Sequence, residues 1–314
     1  MNENITVAAN PKGRKSITFF VTQPIKKEEY EEIRWPYYAS LPLMWLLTLS
    51  VMAKKRIYKL FGLGEPRTNS FFFDGLGVAC RKVKEYAASW RAMDLIYNHT
   101  FPPKLTFRLL DEFYWYGLNC QALRNRYKLV KHELKKAISN FENQPEIRLA
   151  SLACGAGQAI IETIAECKAR NIIVRAILMD IDQAGLDMAQ KFAEQYGVAD
   201  QIKTHKINLA EEDNFLNDFK PQIIEMLGFL DYANQETAIS FVKKLYSALD
   251  EKGILITCNI NSNVEQYFIK WAINWPMVYR KPAELMDIAR KSGFNDYQIV
   301  FEPLKIHSLL IAKK

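Results

Sequence analysis

This sequence of 314 residues contains no closely spaced pair of cysteines. Its five cysteines form no Cys-x-x-Cys arrangement, and its four histidines do not cluster with them. Structural zinc sites use such groupings, and five scattered cysteines in a chain of this length do not resemble a disulfide framework, so we expect neither and predict no metal site. Residues 1–15 are polar and lack the apolar core of a secretory signal, so we expect a cytoplasmic protein with reduced thiols.

The sequence also lacks any arginine-rich tract, although 42 Lys and Arg residues against 35 Asp and Glu residues give a net charge of +7. Because dispersed basic residues do not make the patch that nucleic acid binding needs, we do not expect a nucleic-acid partner. The same excess of positive charge suits an acidic small molecule or an anionic membrane surface. No oligomeric state is predicted.

An apolar run long enough to span a membrane is absent as well. Residues 39–53 are almost wholly apolar, but a spanning helix needs roughly twenty such residues. Lys54, Lys55 and Arg56 follow directly. Two interpretations stay open for this run: a buried helix of a helical domain, or an interfacial helix that contacts a membrane surface or a lipid-like substrate.

A turn of small residues between two elements is the strongest functional signal in the sequence. A short apolar strand, Ile147–Leu152, leads into Ala-Cys-Gly-Ala-Gly, and an amphipathic helix begins at once. Gly155 and Gly157 let the backbone come close to a ligand, and the helix N-terminus offers unpaired N–H groups. A second apolar strand ends in Asp180, a little over twenty residues further on. A nucleotide-binding α/β unit places the carboxylate that binds a ribose diol at this position.

These features resemble those of the class I S-adenosylmethionine-dependent methyltransferases, whose usual first motif is acid-x-Gly-x-Gly-x-Gly. The corresponding residues here are Ser151-Leu152-Ala153-Cys154-Gly155-Ala156-Gly157. Ser151 stands where an acid is common, and Ala153 stands where the first glycine is common. Both departures lie near the expected site of the methionine end of the cofactor. The resemblance implies that S-adenosylmethionine is the cofactor, bound by this motif and by Asp180 and Ile181.

The resemblance covers residues 125–314, where strands and helices alternate. The expected fold is α/β, a doubly wound, mostly parallel seven-stranded sheet with an antiparallel terminal hairpin. The predicted strands are Ile147–Leu152, Val174–Met179, Lys203–Ile207, Ile223–Met226, Gly253–Cys258, Tyr297–Glu302 and His307–Ala312. The predicted helices between them include Gln183–Tyr196, Gln235–Leu249 and Pro282–Ser292.

Residues 1–124 have a different composition, mainly helical in pattern and rich in aromatic residues. The predicted helices there are Glu28–Arg34, Pro42–Leu60, Asp74–Tyr97 and Lys104–Asn140, the last of which continues into the α/β part. We predict that residues 1–124 form a helical cap that binds the acceptor and that residues 125–314 form the cofactor-binding domain.

More cofactor-binding residues are expected at the carboxyl ends of the strands, where ligands of such sheets bind. The resemblance implies that Asn208 binds the adenine edge and that Leu209 packs on its ring, with a strand-end turn as the alternative for Asn208. Leu227 and Gly228 follow the fourth strand, where the glycine allows close approach to the sulfonium. Glu225 lies inside that strand and needs a partner, because an unpaired buried carboxylate is costly.

Three residues are candidates for catalysis. Asp231 and Tyr232 follow the fourth strand and could orient a nucleophile or act as a base, with a turn or helix cap as the alternative for Asp231. Tyr116 lies on the predicted helix that precedes the glycine motif. Asn119 and Arg126 share a face of that helix and are further cofactor-binding candidates. Arg126 could bind the methionine carboxylate, and a solvated basic helix is the alternative.

Three functions remain open for such a chain. The first is a methyltransferase acting on a small, acidic or acyl-bearing molecule, in which the protein positions the acceptor and excludes water. The second is an aminocarboxypropyl transferase or cyclase that uses the same cofactor and releases methylthioadenosine. The third is a non-catalytic binding module of the same fold.

Overall fold

The computed structural model describes residues 4–6, 18–20, 31, 35–71, 74, 78–98, 111–212, 215–216 and 218–314. Contacts along the chain divide it into two compact units. The sheet unit consists of Met1–Tyr30, Arg126–Asn261 and Val278–Lys314, and the helical unit consists of Glu31–Asn125 and Ser262–Met277. That the N-terminal part binds the acceptor remains a prediction.

A seven-stranded sheet forms the centre of the sheet unit. Its strands are β3 (Ile147–Leu152), β4 (Val174–Asp180), β5 (Ile202–Lys206), β6 (Ile223–Met226), β7 (Ile254–Ile260), β8 (Asp296–Phe301) and β9 (His307–Lys313). They lie in the order β5-β4-β3-β6-β7-β9-β8. Strands β3 to β7 pair in parallel, and β9 pairs antiparallel with both β7 and β8. This confirms the predicted fold class, and the predicted strand limits agree within two residues.

Two short strands, β1 (Asn4–Thr6) and β2 (Thr18–Phe20), form a separate antiparallel pair.

Helices of the sheet unit cover both faces of its sheet, as expected for buried parallel strands. In chain order the helices are α1 (Trp35–Leu60), α2 (Val78–Glu85), α3 (Trp90–Tyr97), α4 (Leu118–Ser139), α5 (Gln158–Lys168), α6 (Gln183–Gln195), α7 (Gln235–Ala248), α8 (Gln266–Trp271) and α9 (Pro282–Lys291). One hydrophobic core joins α4, α5 and α6 to the sheet, and a second core joins α7 and α9 to the opposite face.

Local sequence signals explain where these helices begin. The Asp182 side chain accepts a hydrogen bond from the N–H of Ala184 and caps α6, and Asn234 caps α7 through the N–H of Thr237. Proline stands at the first position of α9, where its missing N–H costs nothing. The two capped helices and α9 therefore start at Gln183, Gln235 and Pro282, as predicted.

The helical unit contains α1, α2, α3, α8 and the first residues of α4, around a core that includes Met44, Val83, Ile96 and Ile269. No helix among the described residues is long and apolar enough to cross a membrane.

Two helix predictions in this region were wrong. The predicted helix Asp74–Tyr97 is interrupted after Glu85, and Ala88 has a φ of 61°, which a continuous helix excludes. The predicted helix Lys104–Asn140 is interrupted at Tyr116 and Gly117, between helical residues 111–115 and α4. Residues 104–110 of that prediction, and Glu28–Arg34 apart from Glu31, lie outside the described residues.

Candidate cofactor site

The turn between β3 and α5 has the backbone conformation that its small residues allow. Ala153, Gly155 and Gly157 have φ values of 51°, 55° and 59°, in the left-handed region. A Cβ atom on Gly157 would lie 2.6 Å from Cδ2 of Leu178, so the close packing of this turn on β4 requires glycine. At Ala153 the usual glycine is replaced by a residue that adopts the same conformation at some cost in strain.

Asp180 lies at the end of β4, and its carboxylate is oriented by the glycine turn. One carboxylate oxygen accepts the N–H of Gly155 at 2.7 Å, and the other accepts the N–H of Asp182 at 2.8 Å. A carboxylate has about four acceptor positions, so it retains capacity for a diol. The Ile181 side chain beside it is 62% exposed, which leaves an apolar surface next to the carboxylate.

The residues that follow β5 are engaged in a turn and in the core, whereas those that follow β6 include a glycine beside open space. The Asn208 side-chain oxygen accepts the N–H of Ala210 at 3.2 Å, so this residue closes a turn, and Leu209 is buried in the core beside α7. Leu227 packs against the core on the α4 side. Gly228 has a φ of 76°, and a Cβ atom there would meet nothing within 4 Å. The backbone at Gly228 therefore borders open space at the carboxyl end of β6.

A buried polar cluster lies on the α4 face of the sheet at the same strand ends. Ser151 and Glu225 are direct neighbours in the β3–β6 pairing, and the Ser151 hydroxyl donates to the Glu225 carboxylate. Arg126 on α4 is buried, and its Nη1 donates to Sγ of Cys258 on β7 at 3.6 Å. The partner that Glu225 was expected to need is therefore Ser151, one strand away.

Burial raises the pKa values of two carboxyl groups, those of Glu225 and the nearby Asp231. It raises the pKa of the Glu225 carboxyl to about 7, although the hydrogen bond from Ser151 and the charge of Arg126 both act to lower it. Burial also raises the pKa of Asp231, against the opposing effects of the Ile260 N–H, Arg126 and Arg280. The two carboxyl groups thus share Arg126 as a buried counter-charge.

The catalytic candidates after β6 occupy different environments. The buried Asp231 carboxylate accepts the N–H of Ile260 at 2.9 Å, which ties the turn after β6 to the end of β7. The next side chain, Tyr232, lies on the same 3-10 turn and is 48% exposed. Of this pair, only Tyr232 reaches the surface.

Arg280 was not selected from the sequence, yet it organises this turn. It is buried and donates to the carbonyl oxygens of Leu230 and Ala233 and to the side-chain oxygens of Gln235 and Asn259. The only sequence signal for Arg280 was its position as a lone arginine in a segment rich in aromatic residues. Its contacts fix the turn that presents Tyr232.

Asn119 and Tyr116 belong to the helical unit, whereas Arg126 belongs to the sheet unit. The Asn119 amide donates to Oε2 of Glu265 at 2.6 Å. Glu265 also accepts the backbone N–H groups of Leu118 and Asn119 and the hydroxyl of Tyr37. Glu265 thus caps the start of α4 from a distant part of the chain, and the Asn119 side chain serves this cap. Tyr116 is half-buried in the turn just before it.

Within the described part of the chain, no group of three or more His, Cys, Asp or Glu side chains could hold a metal ion.

Comparison with known proteins identifies the family of this chain. Residues 67–314 match the model of a family described as "Putative methyltransferase". The chain belongs to this methyltransferase family. The predicted superfamily and enzyme class are thereby confirmed. No protein with a curated description matches the chain.

Several solved structures, two of them of methyltransferases, are similar in fold to this chain. A possible exported protein from Bordetella parapertussis is 15% identical, with a TM-score of 0.65 over 92% of this chain and 99% of that chain. The magnesium protoporphyrin IX methyltransferase of Synechocystis PCC 6803, solved with bound S-adenosylmethionine, is 16% identical, with a TM-score of 0.51 over 74% and 95% of the two chains. The CurJ carbon methyltransferase is 13% identical, with a TM-score of 0.51 over 77% and 68%.

The raised pKa of Glu225 predicts a specific dependence of stability on pH. The folded pKa of about 7 exceeds the ordinary value of 4.5, so the folded protein binds more protons than the unfolded chain between these values. Stability should therefore fall as pH rises through this window, by about 3 kcal/mol from this group. The Glu225→Gln variant should gain stability relative to the wild type between about pH 5 and pH 8.

Urea unfolding of both proteins across this pH range measures the difference. Glu251→Gln, at an exposed position, is the matched control and should follow the wild-type curve. A Glu225→Gln curve parallel to that of the wild type would show that Glu225 is not held protonated in the folded protein.

Proposed function

We propose that this chain transfers the methyl group of S-adenosylmethionine to a small-molecule acceptor. The observation that carries the proposal is the hydrogen bond between the Gly155 N–H and the Asp180 carboxylate. It joins the glycine turn to the acid at the end of the next strand. A phosphate-binding turn would direct its N–H groups at an anion, whereas this turn directs one at its own carboxylate.

The residues present fit the proposed cofactor. Asp180 would accept the ribose hydroxyls, the exposed Ile181 side chain would pack against the adenine, and Gly228 leaves room at the end of β6. Arg126 is the candidate for the methionine carboxylate, and Glu225 supplies the acid that Ser151 lacks at its own position. When bound, the cofactor supplies an activated methyl group.

The role of this chain's residues is then to bind and orient the acceptor. Tyr232 is exposed and lies on a turn fixed by Arg280, so it is our candidate for contact with the acceptor. The buried Asp231 would position that turn through Ile260 and would not itself accept a proton from the acceptor. We retain a small acidic or acyl-bearing molecule as the acceptor class, in keeping with the net charge of +7.

The proposal also includes a reducing, cytoplasmic location. All five cysteines are free, and four of them are buried. Secreted proteins of this size commonly pair such thiols.

The product nucleoside tests the proposed reaction. Purified protein is incubated with S-adenosylmethionine and a cell-derived small-molecule fraction, and the products are identified by mass. S-adenosylhomocysteine together with an acceptor that has gained one CH₂ is the expected result. Methylthioadenosine would overturn methyl transfer in favour of aminocarboxypropyl transfer or cyclisation, and absence of cofactor binding would leave a non-catalytic module.

A further inference from the structure

Helix α1 has two apolar faces, only one of which is covered by the helical unit. The covered face consists of Tyr37, Met44, Thr48 and Val51, all of them buried. Met44 belongs to the core of the helical unit, where Leu41, Trp45 and Leu47 also pack. This face packs the helix into the helical unit, but it includes only some of the apolar side chains of α1.

The other face forms a second apolar stripe along the same helix. We define the exposed stripe as Leu43, Leu46, Leu49, Ile57 and Leu60, whose spacing places them on one side of the helix. Their side chains are between 52% and 81% exposed. The stripe is about 26 Å long at 1.5 Å per residue. Exposed Phe61 and Leu63 extend it beyond the end of the helix.

Such a stripe is unusual for a helix that is already packed on one side. The outer face of a packed helix in water is normally polar, and long continuous apolar patches mark binding surfaces. The helix contains no acidic residue. Its charged residues, Lys54, Lys55, Arg56 and Lys59, are all basic and lie in its last third.

The basic residues indicate what covers the stripe. Lys54 donates to the carbonyl oxygen of Thr68, and Lys55 donates to Asn274. Arg56 and Lys59 are exposed near the end of the stripe. Lys55 also forms a salt bridge with Glu65, which lies beyond the helix. An apolar stripe beside Arg56 and Lys59, on a helix that contains no carboxylate, is complementary to a surface that presents acyl chains beneath anionic headgroups. A second copy of this helix would offer no opposite charge.

We propose that α1 binds an anionic membrane surface. The helix lies in the plane of the membrane, since it is not apolar enough to cross it. The exposed stripe enters the boundary between headgroups and acyl chains, and Arg56 and Lys59 contact lipid phosphates. This inference does not depend on the proposed methyl transfer.

Sedimentation of the full chain with vesicles tests the proposal. We expect binding to phosphatidylcholine vesicles that contain phosphatidylglycerol, and weaker binding to phosphatidylcholine alone or at high salt. Leu46→Glu combined with Leu49→Glu should lower the partition coefficient by about tenfold or more, because charged groups replace the inserted leucines. Ile173→Glu changes an exposed apolar residue of the sheet unit and should leave binding unchanged.

A charge variant keeps the test valid if the leucine variant fails to fold. Arg56→Gln with Lys59→Gln leaves the apolar stripe intact and should remove the preference for phosphatidylglycerol. Equal binding to both vesicle types, or no binding to either, would overturn the proposal. A wild-type dimer in vesicle-free solution that becomes a monomer in the leucine variant would also overturn it, and would assign the stripe to a second copy.

Discussion

The Asp180→Ala variant is expected to lose at least about a hundredfold in affinity for S-adenosylhomocysteine. Two hydrogen bonds from a ribose diol to a carboxylate are worth about 1.5–3 kcal/mol each. The structure adds a second reason for a large effect. Asp180 also accepts the N–H of Gly155, so its removal releases the turn that would border the ligand. Both losses act on binding and leave the sheet intact.

Titration calorimetry with folded variants measures this effect. Asp187→Ala is the matched control, because Asp187 is an exposed aspartate on the following helix and its carboxylate accepts a hydrogen bond from the Gln183 side chain at the surface. It should bind S-adenosylhomocysteine as the wild type does. An Asp180→Ala variant with unchanged affinity for S-adenosylhomocysteine would show that Asp180 does not bind the cofactor. The hydrogen bond between Gly155 and Asp180 would then no longer support the proposed function.

Replacing Arg126 by methionine is expected to destabilise the fold by about 3–5 kcal/mol at pH 8, because it leaves buried carboxylates without their counter-charge. Arg126 lowers the pKa of both Glu225 and Asp231 against the effect of burial. Its loss should therefore raise both pKa values further. The destabilisation should be smaller near pH 5.5, where Glu225 is protonated even in the wild type and needs less compensation.

A double-mutant cycle separates this charge effect from lost packing. The Arg126→Met and Glu225→Gln changes together should recover part of the stability lost at pH 8, since the glutamine needs no counter-charge. Urea unfolding at both pH values supplies the free energies. Additive effects of the two changes at pH 8 would show that Arg126 does not serve Glu225, and would leave its destabilisation to packing or to the Asp231 carboxylate.

The α/β half of the fold was predictable because its strands are short apolar runs with clear boundaries. Glycine or an acid ends several of them, as Asp180 ends β4, and capping residues such as Asp182 and Asn234 start the next helices. These signals are local, so they can be read without knowing how the strands pair. The helical part lacks them, and the interruption at Gly117 was missed although glycine marked it.

The contacts that define the site could not be predicted in the same way. Ser151 meets Glu225 because β6 lies beside β3, and no local pattern gives that strand order. Glu265 caps α4 from far along the chain, and Arg280 joins two strand ends. Each of these contacts depends on the assembled fold. The sequence predicted that a buried Glu225 needs a partner, but it did not indicate which residue that partner is.

The division of the chain bears on how this protein can be dissected. The helical unit is made of two stretches, Glu31–Asn125 and Ser262–Met277, and the second is an excursion between β7 and α9. An N-terminal deletion that stops before α4 would remove Tyr37 but retain Glu265, and so take away one of the donors to its carboxylate. A single protease cut therefore cannot release the helical unit as one fragment. Expression of the part of the sheet unit that follows Asn125 would require a second deletion, with Asn261 rejoined to Val278 by a new linker.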